Sequence, residues 1–497
     1  MKNLIFKKVS ATFFALVLLF SAGCSDFLDI NEDPNAATEV EGDLLFPTAL
    51  GYIASNRAIE IGPSNTLWAQ IWSSNGSTSV FTDSETYAVS SFMTGNTWSF
   101  YYVDVLKNLE LVRQQAESAD PVRNNVAAQA KILQSYVFYE LTVLFGAVPY
   151  TEAVDSEISQ PNFDDQETIL RGLVTDLTEA VDQIEIGSEL AGVTDGDLIY
   201  KGDMAKWEKF GNSLKLRILM LIRNKDNSVD SEIADLLENE PLIRTNADNA
   251  EIPFFNETNN ANNLWKLNNQ FAGFVNAGNG NGYLFAGDPL VSLMKDLGNN
   301  GDPRLGTYFE YAVDFDDGTQ QTSEYFGQEA GVFDYNDGET SMLSQNIIRQ
   351  DWPSRIVTAS EVLFYEAEYY ANQGDLDAAE DSYEAGIRAS MDYFDDKPGS
   401  IPDSERDDYI NALDDLSTLG QTQALEDIHE QQYIDVFEKA PENWTQWRRV
   451  KVPDLPVPQN ALLGNIIRRF PYPPDELSAN PNAPSRPSND TPMWFEN

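Results

Sequence analysis

Apolar side chains recur at helical spacing over long stretches of this chain. Ala130, Leu133, Val137, Leu141 and Leu144 fall on one face of a helix expected from Asn125 to Phe145. Gly146 and Pro149 stop it. Leu170, Leu173, Leu177, Val181 and Ile184 mark a helix from about Asp165 to Ile184, and Asp164 with Glu167 reads as its capping box. Trp207, Phe210, Leu214, Ile218 and Leu221 mark another from Met204 to Asn224. Earlier, Ala49 to Ile59 and Trp98 to Ala116 carry the same period. Between them, residues 71–95 are rich in Ser, Thr, Asn and Gly, with Trp72, Phe81, Tyr87 and Phe92 scattered and no helical period. That segment reads as a long loop, and long loops on rigid scaffolds carry function disproportionately.

The sharpest pattern runs from Ser360 to Phe394. Leu363, Ala367 and Tyr370 line one face of a first helix, and Ala379, Tyr383 and Gly386 line the facing stripe of a second. Gly374 between them can take the positive φ that ends a helix. Small residues where helices touch, aromatics beside them and a turn glycine match the tetratricopeptide pattern. One such pair cannot bury its own apolar face, so stacked neighbours are required. The helices above supply them, and a further pair is expected at 406–416 and 421–438.

From about Arg244 to Arg349 the character changes. Asn and Gly dominate, and aromatics are interleaved, among them Trp265, Tyr283, Tyr308, Tyr311 and Tyr325. A disordered segment would lack those rings. We read an ordered insertion that packs on the helical scaffold, followed, from Asn443, by a Pro-rich, arginine-bearing tail that wraps the body.

Composition narrows the partners. The chain has 497 residues and a formal charge of −48, which argues against nucleic acid and anionic lipid surfaces. Length alone gives a soft prior of about three domains. At the N-terminus Lys2, Lys7 and Lys8 precede an apolar run from Ala11 to Phe20, then Ser21-Ala22-Gly23-Cys24. This is the order of a secretory signal, too short to span a bilayer. Small residues before a cysteine point to lipidation at Cys24, with residues 1–23 as a lipoprotein signal peptide and 24–45 as lipidated N-terminus and tether. Cys24 is the only cysteine, so an intrachain disulfide and a thiol nucleophile elsewhere are excluded.

Catalytic motifs fail one by one. His429 is the only histidine, and Tyr433 stands where a zinc protease needs its second one. No Gly-x-Ser-x-Gly elbow exists. Gly278, Gly280 and Gly282 lack the spacing of a nucleotide loop. The acidic turns 314–318 and 334–338 suggest calcium, but neither has Gly at the sixth position of an EF-hand loop. Ordinary turns are the favoured reading, an irregular calcium site the alternative, and no cofactor or metal is expected. Aromatics in Asn-, Ser- and Gly-rich segments suit sugars, because a flat ring stacks on a pyranose while short amides take its hydroxyls. Trp72, Trp265, Tyr283 and Tyr325 are the candidate stacking residues.

Taken in order, several segments resemble the SusD/RagB lipoproteins, nutrient-binding proteins of Bacteroidetes-type outer membranes. These are Ser25-Asp26-Phe27-Leu28-Asp29 after the cysteine, the segment Leu144 to Ala153, Gly202 to Arg217, Asp302-Pro303-Arg304-Leu305, the pair around Gly374, Asn443 to Arg449, and Arg468-Arg469 with Tyr472-Pro473 and Glu476. The resemblance implies a mainly α, tetratricopeptide-like scaffold of about four helix pairs, in one domain over 46–497, plus an inserted loop-rich region that forms the ligand site; composition puts the loop-rich regions at 71–95 and 244–349. It implies a surface lipoprotein that binds oligosaccharide or peptide and passes it to a SusC-like TonB-dependent outer-membrane transporter, without catalysis. The matching segments belong to the scaffold, so the stacking candidates rest on composition alone. A surface glycoside hydrolase and a repeat scaffold for protein assembly are the competing readings.

Overall fold

The computed structural model describes residues 42–74, 79–271, 284–312, 323–333 and 340–496. Helix α1 spans Gly42–Ser55, runs through a π-helical stretch at Asn56–Ile61 and continues as α2, Gly62–Trp68. Strand β1 is Trp72–Ser74, followed by α3, Ser79–Glu85, and α4, Ser91–Ser99. A second π-helical stretch, Phe100–Leu106, leads into α5, Lys107–Ser118. The described residues of 71–95 therefore hold a strand and two short helices rather than the long loop expected from their composition. Ser90 accepts the Phe92 N–H and starts α4, a cap that the polar sequence hides.

The scaffold follows. Helix α6 is Asn124–Phe145, α7 is Gln166–Asp182, α8 is Met204–Arg223 and α9 is Asp230–Asn239. Of the residues of α6, only Asn124 and Lys131 escape burial. A helix covered all round must lie at the centre, and α6 packs between α5 and α7. The N-cap of α7 is Asp165, which accepts the Thr168 N–H at 2.8 Å. Asp164, expected to cap it, instead accepts the Tyr150 and Thr151 N–H groups.

Strand β2, Ala250–Ile252, precedes α10, Asn263–Phe271, and β3, Leu284–Ala286, precedes α11, Asp288–Asp296, and the short α12, Leu305–Tyr308. Strand β4 is Ser354–Val357. The strands make two antiparallel pairs: β1 with β3, with Trp72 opposite Ala286, and β2 with β4, with Ile252 opposite Ser354. They tie the insertion to the scaffold.

Helices α13, Ala359–Gln373, and α14, Leu376–Asp392, form the expected hairpin. Gly374 sits at φ +82° and its N–H returns to Tyr370 and Ala371 carbonyls, while Asp375 caps the second helix. At Gly386 a Cβ would lie 2.8 Å from the Phe364 ring, so only glycine lets the helices approach this closely. Helix α15, Asp403–Ile410, and α16, Gln421–Asp435, are the next pair, shorter in their first member than expected. Helix α17, Glu442–Val450, and α18, Pro474–Ala479, complete the chain. The tail lies over the end of α6, where the Phe470 N–H donates to Leu144 O and the Tyr472 hydroxyl to Ala147 O.

Charges cross-link the core. Arg57 from the first π-helical stretch bonds Glu140 of α6 and lies 3.4 Å from Glu442 of α17. Arg217 of α8 meets Glu442 at 2.9 Å and Glu361 of α13 at 2.6 Å. Two guanidiniums thus face three carboxylates, all buried. Burial pushes the Glu442 carboxyl up to about 7 despite Arg217 and Arg57. A proton on Glu442 would balance the five groups. His429 lies near a second such site, with Nε2 3.6 Å from Glu368, whose carboxylate Arg449 holds at 2.5 and 2.6 Å.

Candidate functional site

Past the end of α11 the chain turns through Asn299, Asn300 and Gly301. Gly301 takes φ +79°, and the Asp302 N–H returns to Met294 O at 2.7 Å. Asp302 is buried and holds Arg304 through two contacts, at 2.6 and 3.0 Å. Arg304 also donates to Ser390 of α14 at 3.0 Å and to Gln431 of α16 at 2.5 Å. Gln431 in turn donates to the Tyr409 hydroxyl of α15 at 2.8 Å. The Nε, Nη1 and Nη2 groups of Arg304 thereby tie the turn to α14 and α16, which gives the turn a rigid floor. Burial opposes charge on Arg304, but Asp302 outweighs it and holds the pKa above its ordinary value.

Above that floor opens a cavity of ≈ 860 Å³, lined by the 299–306 turn, by Tyr311, Glu324 and Tyr325, and by Glu405, Asp408 and Tyr409 of α15. Tyr311 and Tyr325 form an inclined pair, with ring centroids 4.7 Å apart at 33°. Tyr311 is 39% exposed, and Tyr325 is half-buried beside it. The Ala312 N–H donates to Glu324 O and the Glu310 N–H to Met342 O, so backbone hydrogen bonds hold the segments bearing both rings. Burial, then the Tyr311 neighbour, pushes the Tyr325 phenol up, so it stays protonated and able to donate. Lys295 donates to Tyr325 O at 3.2 Å and lies 3.8 Å from Glu324. A ring pair beside amides, phenols and carboxylates is equipped to stack on one face of a polar ring and bond its hydroxyls. Its volume matches a small-ligand site.

The four stacking candidates do not meet in one place. Tyr325 lines this cavity. Trp72 is 2% exposed in β1, its ring edge-on to Phe437 at 5.9 Å, and offers no face to solvent. Trp265 is half-buried on α10 and packs on the core. Tyr283 and both acidic turns lie outside the described residues. Tyr311 was one of many interleaved aromatics in the sequence. Its pairing with Tyr325, and the approach of α15, arise only from folding. Among the described residues no cluster of three or more His, Cys, Asp or Glu could hold a metal ion, and no helix is long and apolar enough to cross a membrane.

A family model for SusD-like proteins, described as "Starch-binding associating with outer membrane", matches residues 34–473. Comparison with curated proteins gives no match. Among solved structures, a Bacteroidetes AC2a SusD-like protein is 22% identical, with 92% of this chain and 100% of that one covered and a TM-score of 0.76. A chitin-binding protein is 23% identical with the same coverage and a TM-score of 0.76. A SusD homolog from Parabacteroides distasonis is 20% identical over 92% of this chain and 98% of its own, with a TM-score of 0.75. At these identities the likeness establishes the fold: a helical scaffold shared along almost the whole chain.

Proposed function

This chain belongs to the SusD-like family, starch-binding proteins that associate with the outer membrane, and from that premise we propose that it is a surface lipoprotein that captures a polar nutrient in the Tyr311–Tyr325 cavity and passes it to a transporter. The observation that carries the proposal is the cavity itself. It joins an exposed ring face to polar side chains on a floor fixed by Arg304. Saccharide is the favoured ligand, because the ring pair and surrounding hydrogen-bond groups match a pyranose's apolar face and hydroxyl rim. The family is one of binding proteins, and no step of catalysis is assigned to this chain.

The anchor is Cys24, with the signal segment 1–23 removed. Two or more acyl chains, at roughly 0.8 kcal/mol per buried CH₂, hold a protein stably at a membrane. Capture outside the membrane requires a separate protein to move the ligand inward, and a SusC-like TonB-dependent barrel fits that need. Stacked helix pairs offer it an extended docking surface.

Titration of saccharides against the soluble protein, wild type and Tyr325→Ala, tests the site. Loss of the ring should weaken binding by roughly 1–3 kcal/mol, the cost of removing a binding anchor. Unchanged affinity in Tyr325→Ala and Tyr311→Ala together would remove this cavity from consideration.

A further inference from the structure

The cavity beside Tyr311 and Tyr325 carries negative charge that its neighbours leave uncancelled. Glu405 and Asp408 both line it from α15. Three residues apart on a helix, their carboxylates share a face. Both side chains are exposed. The nearby cations are committed elsewhere: Arg406 to Asp392, Asp403 and Asp407, and Arg388 to Asp407. Among the described residues neither Glu405 nor Asp408 takes part in an ion pair. Of the other charges lining the cavity, Asp302 is neutralised by Arg304, and Lys295 lies beside Glu324. The polar wall is therefore anionic. It lines the same cavity as two tyrosine rings, whose faces attract cations rather than repel them. The chain's formal charge of −48 adds a background that repels anions further.

We propose that this cavity prefers a saccharide bearing primary ammonium groups over neutral and anionic saccharides of the same length. The proposal rests on the reading of the cavity as the ligand site. An ammonium on the bound sugar would sit within reach of the Glu405–Asp408 face while the sugar ring lies on the tyrosines. A sulfated or uronate ligand would bring like charge to that face and lose affinity.

Calorimetry on the soluble protein would compare length-matched oligomers of glucosamine, N-acetylglucosamine and galacturonic acid, at a pH where the amine is charged. The free-amine series should bind about tenfold tighter than the N-acetylated one, the order expected for two partly exposed charge pairs. The acidic series should bind weakest. In about 0.5 M salt the ratio should fall towards one, because exposed charges are screened over a few ångströms there. The Glu405→Gln/Asp408→Asn variant, changed at two exposed positions and checked by thermal melt, should also bring the ratio towards one. Equal affinity for amine and N-acetyl series in the wild type overturns the proposal while leaving the site in place. So does a preference that survives in the double variant. A lysine-bearing peptide that outbinds the amino saccharide overturns the assignment to saccharide. Failure of all three series to bind overturns the site reading, and the proposal with it.

Discussion

Replacing Glu442 by Gln should stabilise this protein above neutral pH, although Glu442 contacts two arginines. The carboxyl is buried among Arg57, Arg217, Glu140 and Glu361, so full ionisation would leave one excess negative charge in the core. Burial dominates and raises its pKa from 4.5 to about 7. In the unfolded chain the group ionises near its ordinary value. Between those two values the folded state therefore binds the extra proton. Its contribution to stability is complete below pH 4.5 and is lost as pH rises through about 7. At 1.36 kcal/mol per pKa unit the loss is on the order of 3 kcal/mol. Gln keeps the shape of the protonated acid and does not titrate. Near pH 4.5 the variant should match the wild type closely, and by pH 8 it should be more stable by up to about 3 kcal/mol. Glu85 is also pushed up to about 7 by burial, so absolute curves mix several groups. Urea denaturation of both proteins at each pH isolates Glu442 through their difference. A variant less stable than wild type at pH 8, by about 3 kcal/mol as for a broken buried ion pair, would show that Arg57 and Arg217 stabilise the ionised Glu442 and refute the charge count.

Other outcomes follow from the same geometry. Arg304→Ala leaves Asp302 buried without its partner and should cost roughly 3–5 kcal/mol in urea denaturation, whereas an exposed Asp302 would cost far less. Gly374→Ala forces a β-carbon into φ +82° and should lower stability by about 1 kcal/mol, a loss a thermal melt will register. Cys24→Ala should move the protein from the membrane fraction to the soluble one, and mass spectrometry showing an unmodified Cys24 in the wild type would sink the anchor. Gentle detergent extraction should recover a large plugged barrel with this protein, and recovery as a free monomer under conditions that preserve such complexes would count against the transporter.

The scaffold was legible because its signals are local. Gly374 and the small residues Ala367, Ala379 and Gly386 specify a helical hairpin within one short stretch. The stripe from Ala130 to Leu144 specifies α6, although the sequence did not reveal that α6 is covered on every side. Residues 71–95 misled because α3 and α4 are short and polar, and tertiary contacts rather than propensity hold them. Asp164 and Asp165 are adjacent, and only the backbone path decides which one caps α7. The candidate cavity was the least legible feature. Tyr325 was singled out by its polar setting, but Tyr311, Asn299 and Asp408 come from separate segments that only tertiary contacts bring together: the Arg304 bonds to α14 and α16, the Gln431 bond to Tyr409 of α15, and the backbone bonds of Glu310 and Ala312. Trp72 shared the composition of a binding aromatic and turned out to be core, because β1 pairs with β3 and carries the ring inside.

A crystal structure of the soluble protein with a saccharide selected by binding would show whether the Tyr311–Tyr325 cavity holds the ligand. A sugar ring should lie stacked on the Tyr311–Tyr325 pair, with its hydroxyls bonded to groups of the 299–306 turn or of α15. A ligand ordered elsewhere on the surface, with the tyrosine pair left bare, would contradict it.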